Sequence, residues 1–282
     1  MRSFGSIIKK IRLEKSMSKE RLSEGICSFE RLTNIEDGTE VPDLFLMKQL
    51  CDRLFMTVDE VLYLYESQKT DTKKWLAMMN YFFKTMQYEK LKEICDEIEK
   101  TQSQLTGLER QLFLYYQGQV HIHLSKEFEA ALECFRQALS QSYQKNSSAP
   151  TDMELIILNG LGYIYYALGD LEKSDYFFDK SLHLFFTSRR INFRPEVIRI
   201  FYVTALVNIE RQKYREAADM VNLGISWCRK KMSLYLLHEL LYLKGMILED
   251  VGKLDEAVYF VELAERINEI ETNDKLLDFN VN

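Results

Sequence analysis

A triplet of small, large and small side chains, offset by four and then three residues, recurs along the chain: Ala131, Phe135, Ala138; Ser174, Phe178, Ser181; Ala217, Val221, Gly224; and Ala257, Val261, Ala264. The steps between copies are 43, 43 and 40 residues. Offsets of four and three put each triplet on one helix face, where small residues let a second helix come close. A period of this length makes each copy one supersecondary unit that buries its apolar face only by stacking on its neighbours. Going back 40 from Ala131 reaches Leu91, with Cys95 and Ile98 in the next two places, which makes a degenerate fifth copy. Leu161-Gly162 and Lys244-Gly245 keep one offset within the first helix of their copies. Gly169-Asp170-Leu171 and Gly252-Lys253-Leu254 mark the turn, where a glycine ends a helix without strain. Only 3 Pro and 11 Gly in 282 residues suit an all-α chain, and 46% hydrophobic content excludes a disordered one.

The series fits the tetratricopeptide pattern, so the expected architecture is a right-handed superhelix of about five helix pairs with a concave inner wall. The copies exceed the minimal repeat, which places extended connections at Gln141–Pro150 and Thr187–Pro195. The inner wall is built from the first helix of each pair. Counting back fifteen from the first small residue gives Leu76, Tyr116, Asn159, Tyr202 and Tyr242; one turn on are Asn80, Val120, Tyr163, Leu206 and Met246. Such a wall suits an extended peptide, because asparagine can satisfy unpaired backbone groups and tyrosine offers rigid apolar area with a polar tip. For each tyrosine, packing between repeats is the competing reading. Arg199, Glu239 and Glu249 fall on the same face and read as solvated charges.

Ahead of the repeats, Ser18–Gly38 reads as a helix-turn-helix. Ser18 and Ser28 start its two helices, Gly25 supplies the bend, and Leu32 and Ile35 face inward. That turns Phe29, Glu30, Arg31, Thr33 and Asn34 outward, where Arg can bridge two acceptors of guanine and Asn can pair with adenine in the major groove. Phe4, Ile7, Ile8 and Ile11 supply an earlier helix, with Lys9, Lys10, Arg12 and Lys15 on its other side. Pro42-Asp43 and the capping box Thr57-x-x-Glu60 open two more helices.

The net charge of −6 hides a local asymmetry: residues 1–31 carry eight bases against four acids. Residues 1–62 together hold ten bases and eleven acids, so a single copy should bind DNA weakly and a dimer on a two-fold site is implied. No long apolar run or leader is seen, so a cytoplasmic protein with no membrane partner is expected. The five scattered cysteines form no C-x-x-C pair and read as reduced thiols; a sensing role for Cys27 or Cys51 is the lesser reading. His121 and His123 point about 200° apart on a helix, His183 and His238 are isolated, and no phosphate loop or nucleophile motif is present. Neither an enzyme nor a cofactor is expected.

Residues 1–62 resemble the lambda-repressor-like (XRE) DNA-binding domain at Gly5, Ile8, Arg12, Met17-Ser18, Leu22, Ile35-Glu36-x-Gly38, Pro42, Leu50 and Leu54. The resemblance implies that Arg12 and Glu36 pair beneath the recognition helix; Arg12 is also kept among the candidate DNA contacts, with Lys15, Lys19, Ser28, Phe29, Glu30, Arg31, Thr33 and Asn34. Lys19 stands where that family usually has glutamine, which favours phosphate over base contact. The combination of such a domain with tetratricopeptide-like repeats resembles the peptide-pheromone-responsive regulators of Gram-positive bacteria, the Rgg, NprR, PlcR and PrgX group. That implies an intracellular homodimer, paired through its C-terminal repeats, that binds an operator and is switched by a short imported peptide. By the same resemblance Asn159 holds the peptide backbone and Lys84 contacts it, beside Asn80, Tyr116, Tyr163, Tyr202 and Tyr242. The fourth repeat departs from the pattern, with Tyr202-Val203 where a groove asparagine would stand. The expected boundaries are residues 1–65 for the DNA-binding domain, 66–72 for a linker, 73–270 for the repeats and 271–282 for a tail. The rival reading is a repeat adaptor that holds a partner protein and binds no DNA.

Overall fold

Side-chain oxygens start the first helices where the sequence places them. In the computed structural model, which describes residues 3–67, 71–101, 105–144, 149–188 and 193–272, Ser3, Ser18, Ser28 and Asp43 accept backbone N–H groups at the starts of α1 (Phe4–Glu14), α2 (Lys19–Ser23), α3 (Phe29–Asp37) and α4 (Leu44–Arg53). The Thr57/Glu60 box opens α5 (Val58–Ser67): Thr57 N donates to Glu60 Oε2 at 2.6 Å and Glu60 N to Thr57 Oγ1 at 3.1 Å. The chain divides into two compact units, Met1–Asn80 and Tyr81–Asn282.

The first unit closes around Ile8, Leu22, Leu32, Ile35, Leu50, Leu54 and Val61, all fully buried. α1 and α3 cross at backbone contact, since a Cβ on Gly5 would lie 1.6 Å from the Ile35 carbonyl oxygen. Gly38, at φ +79°, ends α3 in the left-handed conformation that glycine adopts without strain. Arg53 ties α4 to the motif by donating to the carbonyls of Arg21 and Glu24 at 2.9 and 3.0 Å, which would otherwise be orphaned at the C-terminus of α2. α5 ends at Ser67 and α6 (Asp71–Lys84) begins four residues on, so the described part of the expected linker is helical; residues 68–70 lie outside the described residues. The division between the units falls inside α6, later than the boundary at residue 65 suggested by polarity.

The second unit is a stack of helix pairs. α7 (Tyr88–Lys100) follows α6, and then come α8 (Gly107–Val120) with α9 (Phe128–Ser140), α10 (Asp152–Ala167) with α11 (Leu171–Thr187), α12 (Arg199–Glu210) with α13 (Tyr214–Lys231), and α14 (Leu237–Asp250) with α15 (Leu254–Thr272). The recurring triplets are the seams: Ala131, Phe135, Ala138, Ser174 and Ser181 are completely buried. Phe135 fills the space left by two glycines, since a Cβ on Gly118 of α8 or Gly160 of α10 would meet its ring at 2.6 or 2.3 Å. Five residues in the left-handed conformation, Met86, Lys126, Gly169, Gln212 and Gly252, stand at the turns within the pairs, at intervals of 40, 43, 43 and 40 residues. A π-helical turn, His121–Ser125, lengthens the end of α8, and a 3₁₀ turn, Pro195–Ile198, leads into α12. The expected long connections include residues 145–148 and 189–192, and the expected tail includes 273–282; these lie outside the described residues. No described helix is long and apolar enough to cross a membrane.

Candidate functional site

The chemistry-bearing residues gather at two places, one in each unit. On the first unit, Leu32, Ile35 and Glu36 turn inward from α3 and leave Phe29, Glu30, Arg31 and Asn34 exposed, with Thr33 half-buried. Ser28 spends its hydroxyl as the cap, accepting from Arg31 N at 3.1 Å. Lys19 reaches over the helix from α2: its Nζ donates to Thr33 Oγ1 at 3.1 Å and lies 5.6 Å from the Phe29 ring centroid. Arg31 is exposed but occupied, with Nε 2.7 Å from Glu40 Oε1 and Nη2 3.8 Å from Asp43 Oδ2. Lys15 is exposed at the end of α1, close enough to Glu60 of α5 to help lower that carboxyl's pKa after its hydrogen bonds to Thr57.

Arg12 leaves the set of candidate DNA contacts. It is 5% exposed, its Nε and Nη2 donate to the two carboxylate oxygens of Glu36 at 2.6 and 2.8 Å, and its Nη1 donates to the Met17 carbonyl at 2.9 Å. A guanidinium held bidentately by a buried carboxylate, with three of its five N–H donors spent inside the core, is not presented to a phosphate or a base. The thiols nearby are inert: burial raises the pKa of Cys27 and pushes that of Cys51 up to about 11, so neither forms thiolate readily.

In the second unit, one face of successive first helices lines a cavity of about 310 Å³. α10 contributes Ile156, Asn159, Gly160 and Tyr163, and α12 contributes Arg199, Tyr202, Val203 and Leu206, in each case at helical spacing. Phe83, Lys84, Met86 and Tyr88, then Tyr115, Gln119, Ile122 and His123, and Tyr235, Leu236 and Glu239 complete the wall. Asn159 lines it but is not free. It is 1% exposed, and its Nδ2 donates to the Ile200 carbonyl at 3.2 Å and to Thr204 Oγ1 at 2.9 Å, lacing α10 to α12. A carbonyl oxygen at one of these positions requires the nitrogen there, so the amide orientation is fixed and Oδ1 is the other polar atom of the side chain. Lys84 Nζ is 2.8 Å from Glu196 Oε1 and 4.9 Å from the Tyr235 ring centroid.

Of the seven residues expected to contact the peptide, Asn159, Lys84, Tyr163 and Tyr202 line the cavity, and Tyr116, Tyr242 and Asn80 do not. Tyr116 is 6% exposed and packs edge-on against Phe83 and Tyr115. The π turn inserts one residue between α8 and α9, so counting back fifteen from Ala131 falls one residue short, and Tyr115 and Gln119 hold the wall positions. Tyr242 is 51% exposed, outside the lining. Asn80 is an exposed residue of the first unit and is not among the lining.

Three lining residues escape a reading by polarity. Arg199 is no freely solvated charge: it is a half-buried member of the wall, with its guanidinium carbon 4.5 Å from the Phe83 ring centroid and Nη1 3.3 Å from the Tyr235 hydroxyl. Glu239 is largely enclosed, 3.2 Å from His238 Nδ1. His123 stacks on Tyr88 with ring centroids 4.2 Å apart; burial first, then the charges of Arg199 and Lys126, lower its pKa to about 4, so it is neutral at pH 7. The available signal was position, since Arg199 lies three residues before Tyr202 on the same helix face. Glu249, read the same way, is exposed.

No family model matches the chain, and no curated protein matches it in sequence. Solved structures match over almost its whole length. Bacillus thuringiensis PlcR, in complex with the peptide PapR7 and DNA, is 20% identical with a TM-score of 0.78, covering 99% of this chain and 100% of that one. ComR from S. thermophilus, in complex with DNA and its signalling peptide ComS, is 16% identical with a TM-score of 0.64, covering 97% and 96%. The Streptococcus dysgalactiae SHP pheromone receptor Rgg2 is 14% identical with a TM-score of 0.59, covering 97% and 96%. The fold is therefore all-α and of this kind, a lambda-repressor-like helix-turn-helix unit followed by a tetratricopeptide-like superhelix.

Proposed function

We propose that the chain is a DNA-binding transcriptional regulator switched by a short signalling peptide bound in the cavity of its repeat unit. The observation that carries the reading is the presence, on one chain, of an outward-turned helix α3 and of a cavity walled by successive first helices. Structures of the same fold support it, since PlcR and ComR are each described with DNA and a peptide together. In this reading Arg31 and Asn34 contact bases, Phe29, Glu30 and Thr33 flank them, and Lys15, Lys19 and Ser28 face phosphate. Asn159, Lys84, Tyr163 and Tyr202 contact the peptide. Because the bases and acids of residues 1–62 nearly cancel, the operator is bound by a homodimer.

One observation favours the rival, a repeat adaptor that binds no DNA: Arg31 already holds Glu40 and Asp43. A gel shift on the DNA upstream of the chain's own gene, repeated at rising salt, separates the two. The regulator gives a specific complex that weakens with salt and is lost in Arg31→Ala with the fold unchanged; no shift at low salt on any promoter supports the adaptor.

A further inference from the structure

Arg199 is a cation without an anion. Its guanidinium makes no ion pair with any described carboxylate; its polar neighbours are phenol hydroxyls, that of Tyr235 at 3.3 Å and that of Tyr115. The other charges at the wall are engaged elsewhere. Lys84 pairs with Glu196 at 2.8 Å, and Glu239, the carboxylate of the lining, lies 3.2 Å from His238. His123 is neutral at pH 7 and adds no charge. Beside the guanidinium lies the buried hydroxyl of Tyr115, which makes no hydrogen bond of full geometry among the described residues and interacts with Arg199 itself. The phenyl face of Phe83 offsets part of the cost of the half-buried charge. A guanidinium flanked by phenol hydroxyls but by no carboxylate, and walled by Tyr88, Ile122, Ile156 and Tyr202, is a half-made ion pair.

We infer that this half-site receives a carboxylate of the ligand: the peptide bound in the cavity carries its C-terminal carboxylate, or one acidic side chain, on Arg199 and sets apolar side chains around it. The assignment rests on the peptide reading above and narrows it to a class. Planar guanidinium and planar carboxylate match through two parallel N–H to oxygen bonds, a geometry a lysine cannot supply. A volume of about 310 Å³ is at the small end for ligand sites, so the cavity takes the anchoring end of a peptide, and the remainder lies along the wall.

The test uses the full chain and two randomised heptapeptide pools that differ only in ending as free acid or amide. Peptides retained by the protein are identified by mass spectrometry and resynthesised as acid, amide and Asp→Asn or Glu→Gln forms. Neutralising the anchoring carboxylate is expected to weaken binding about 10- to 100-fold in the wild type and less than about twofold in Arg199→Gln. Which neutralisation costs affinity tells a terminal carboxylate from a side chain. Equal binding of acid and neutral forms by the wild type overturns the inference and leaves the peptide reading standing, as does a preference that survives in Arg199→Gln. Retention of no peptide overturns both. Should Arg199→Gln fail to fold, the wild-type ratio of acid to neutral forms decides alone.

Discussion

Burial turns Arg12 and Glu36 from two surface charges into a joint. The pair is bidentate, at 2.6 and 2.8 Å, and Glu36 is 2% exposed, so the attraction acts largely out of water and each ion depends on the other. Glu36→Gln should therefore cost about 3 kcal/mol in urea unfolding, because it leaves a buried guanidinium without its counter-ion; replacing both residues by apolar ones of similar size should cost far less. His123 makes a prediction in pH. Its pKa is about 4 when folded, against 6.5 for a free imidazole, so the unfolded chain takes up this proton first as the solution is acidified. The stability it contributes is complete above about pH 6.5 and drains away toward pH 4, on the order of 3 kcal/mol in all. His123→Phe, which keeps the stack on Tyr88, should flatten that part of a stability-against-pH curve measured by denaturant titration.

At the scale of elements, the turns within the pairs explain why some repeats were legible and others faint. All five turns place a residue in the left-handed conformation, but only Gly169 and Gly252 are the residue type that reveals it; Met86, Lys126 and Gln212 adopt it against their own preference. Gln212→Gly should relieve that strain and raise stability by about 0.5–1 kcal/mol, read as a higher melting temperature, with no loss of helix content. Helix α3 could be read almost completely, because its caps, its buried stripe and its terminal glycine are all local features. The wall was read only where the copies keep one length. Asn159, Tyr163, Tyr202 and Leu206 followed from a fixed count, whereas the extra residue in the π turn moved the face of α8 from Tyr116 to Tyr115. Spacing also could not tell that Arg199 is half-buried, because whether a charge is solvated depends on what the neighbouring helices place over it.

At the scale of the whole chain, the last described helix carries several exposed apolar side chains. Leu254, Val258, Tyr259 and Ile270 of α15 are each more than half exposed, and Val251 precedes them. Single exposed apolar residues are ordinary, but a set on one helix is the candidate contact surface for the homodimer proposed above. With the homodimer reading above, removal of α14 and α15 should give a monomer by analytical ultracentrifugation and an operator affinity reduced by at least about tenfold, since two half-sites then bind independently. A truncated chain that still sediments at twice its mass would place the dimer contact elsewhere.

The amide of Asn159 is fastened to Ile200 and Thr204, so the group best placed to greet an incoming backbone is also a stitch between neighbouring repeats. An occupant that draws on this side chain must tighten or loosen the stitch. In the peptide reading proposed above, recognition in the cavity would then act directly on the packing of α10 against α12.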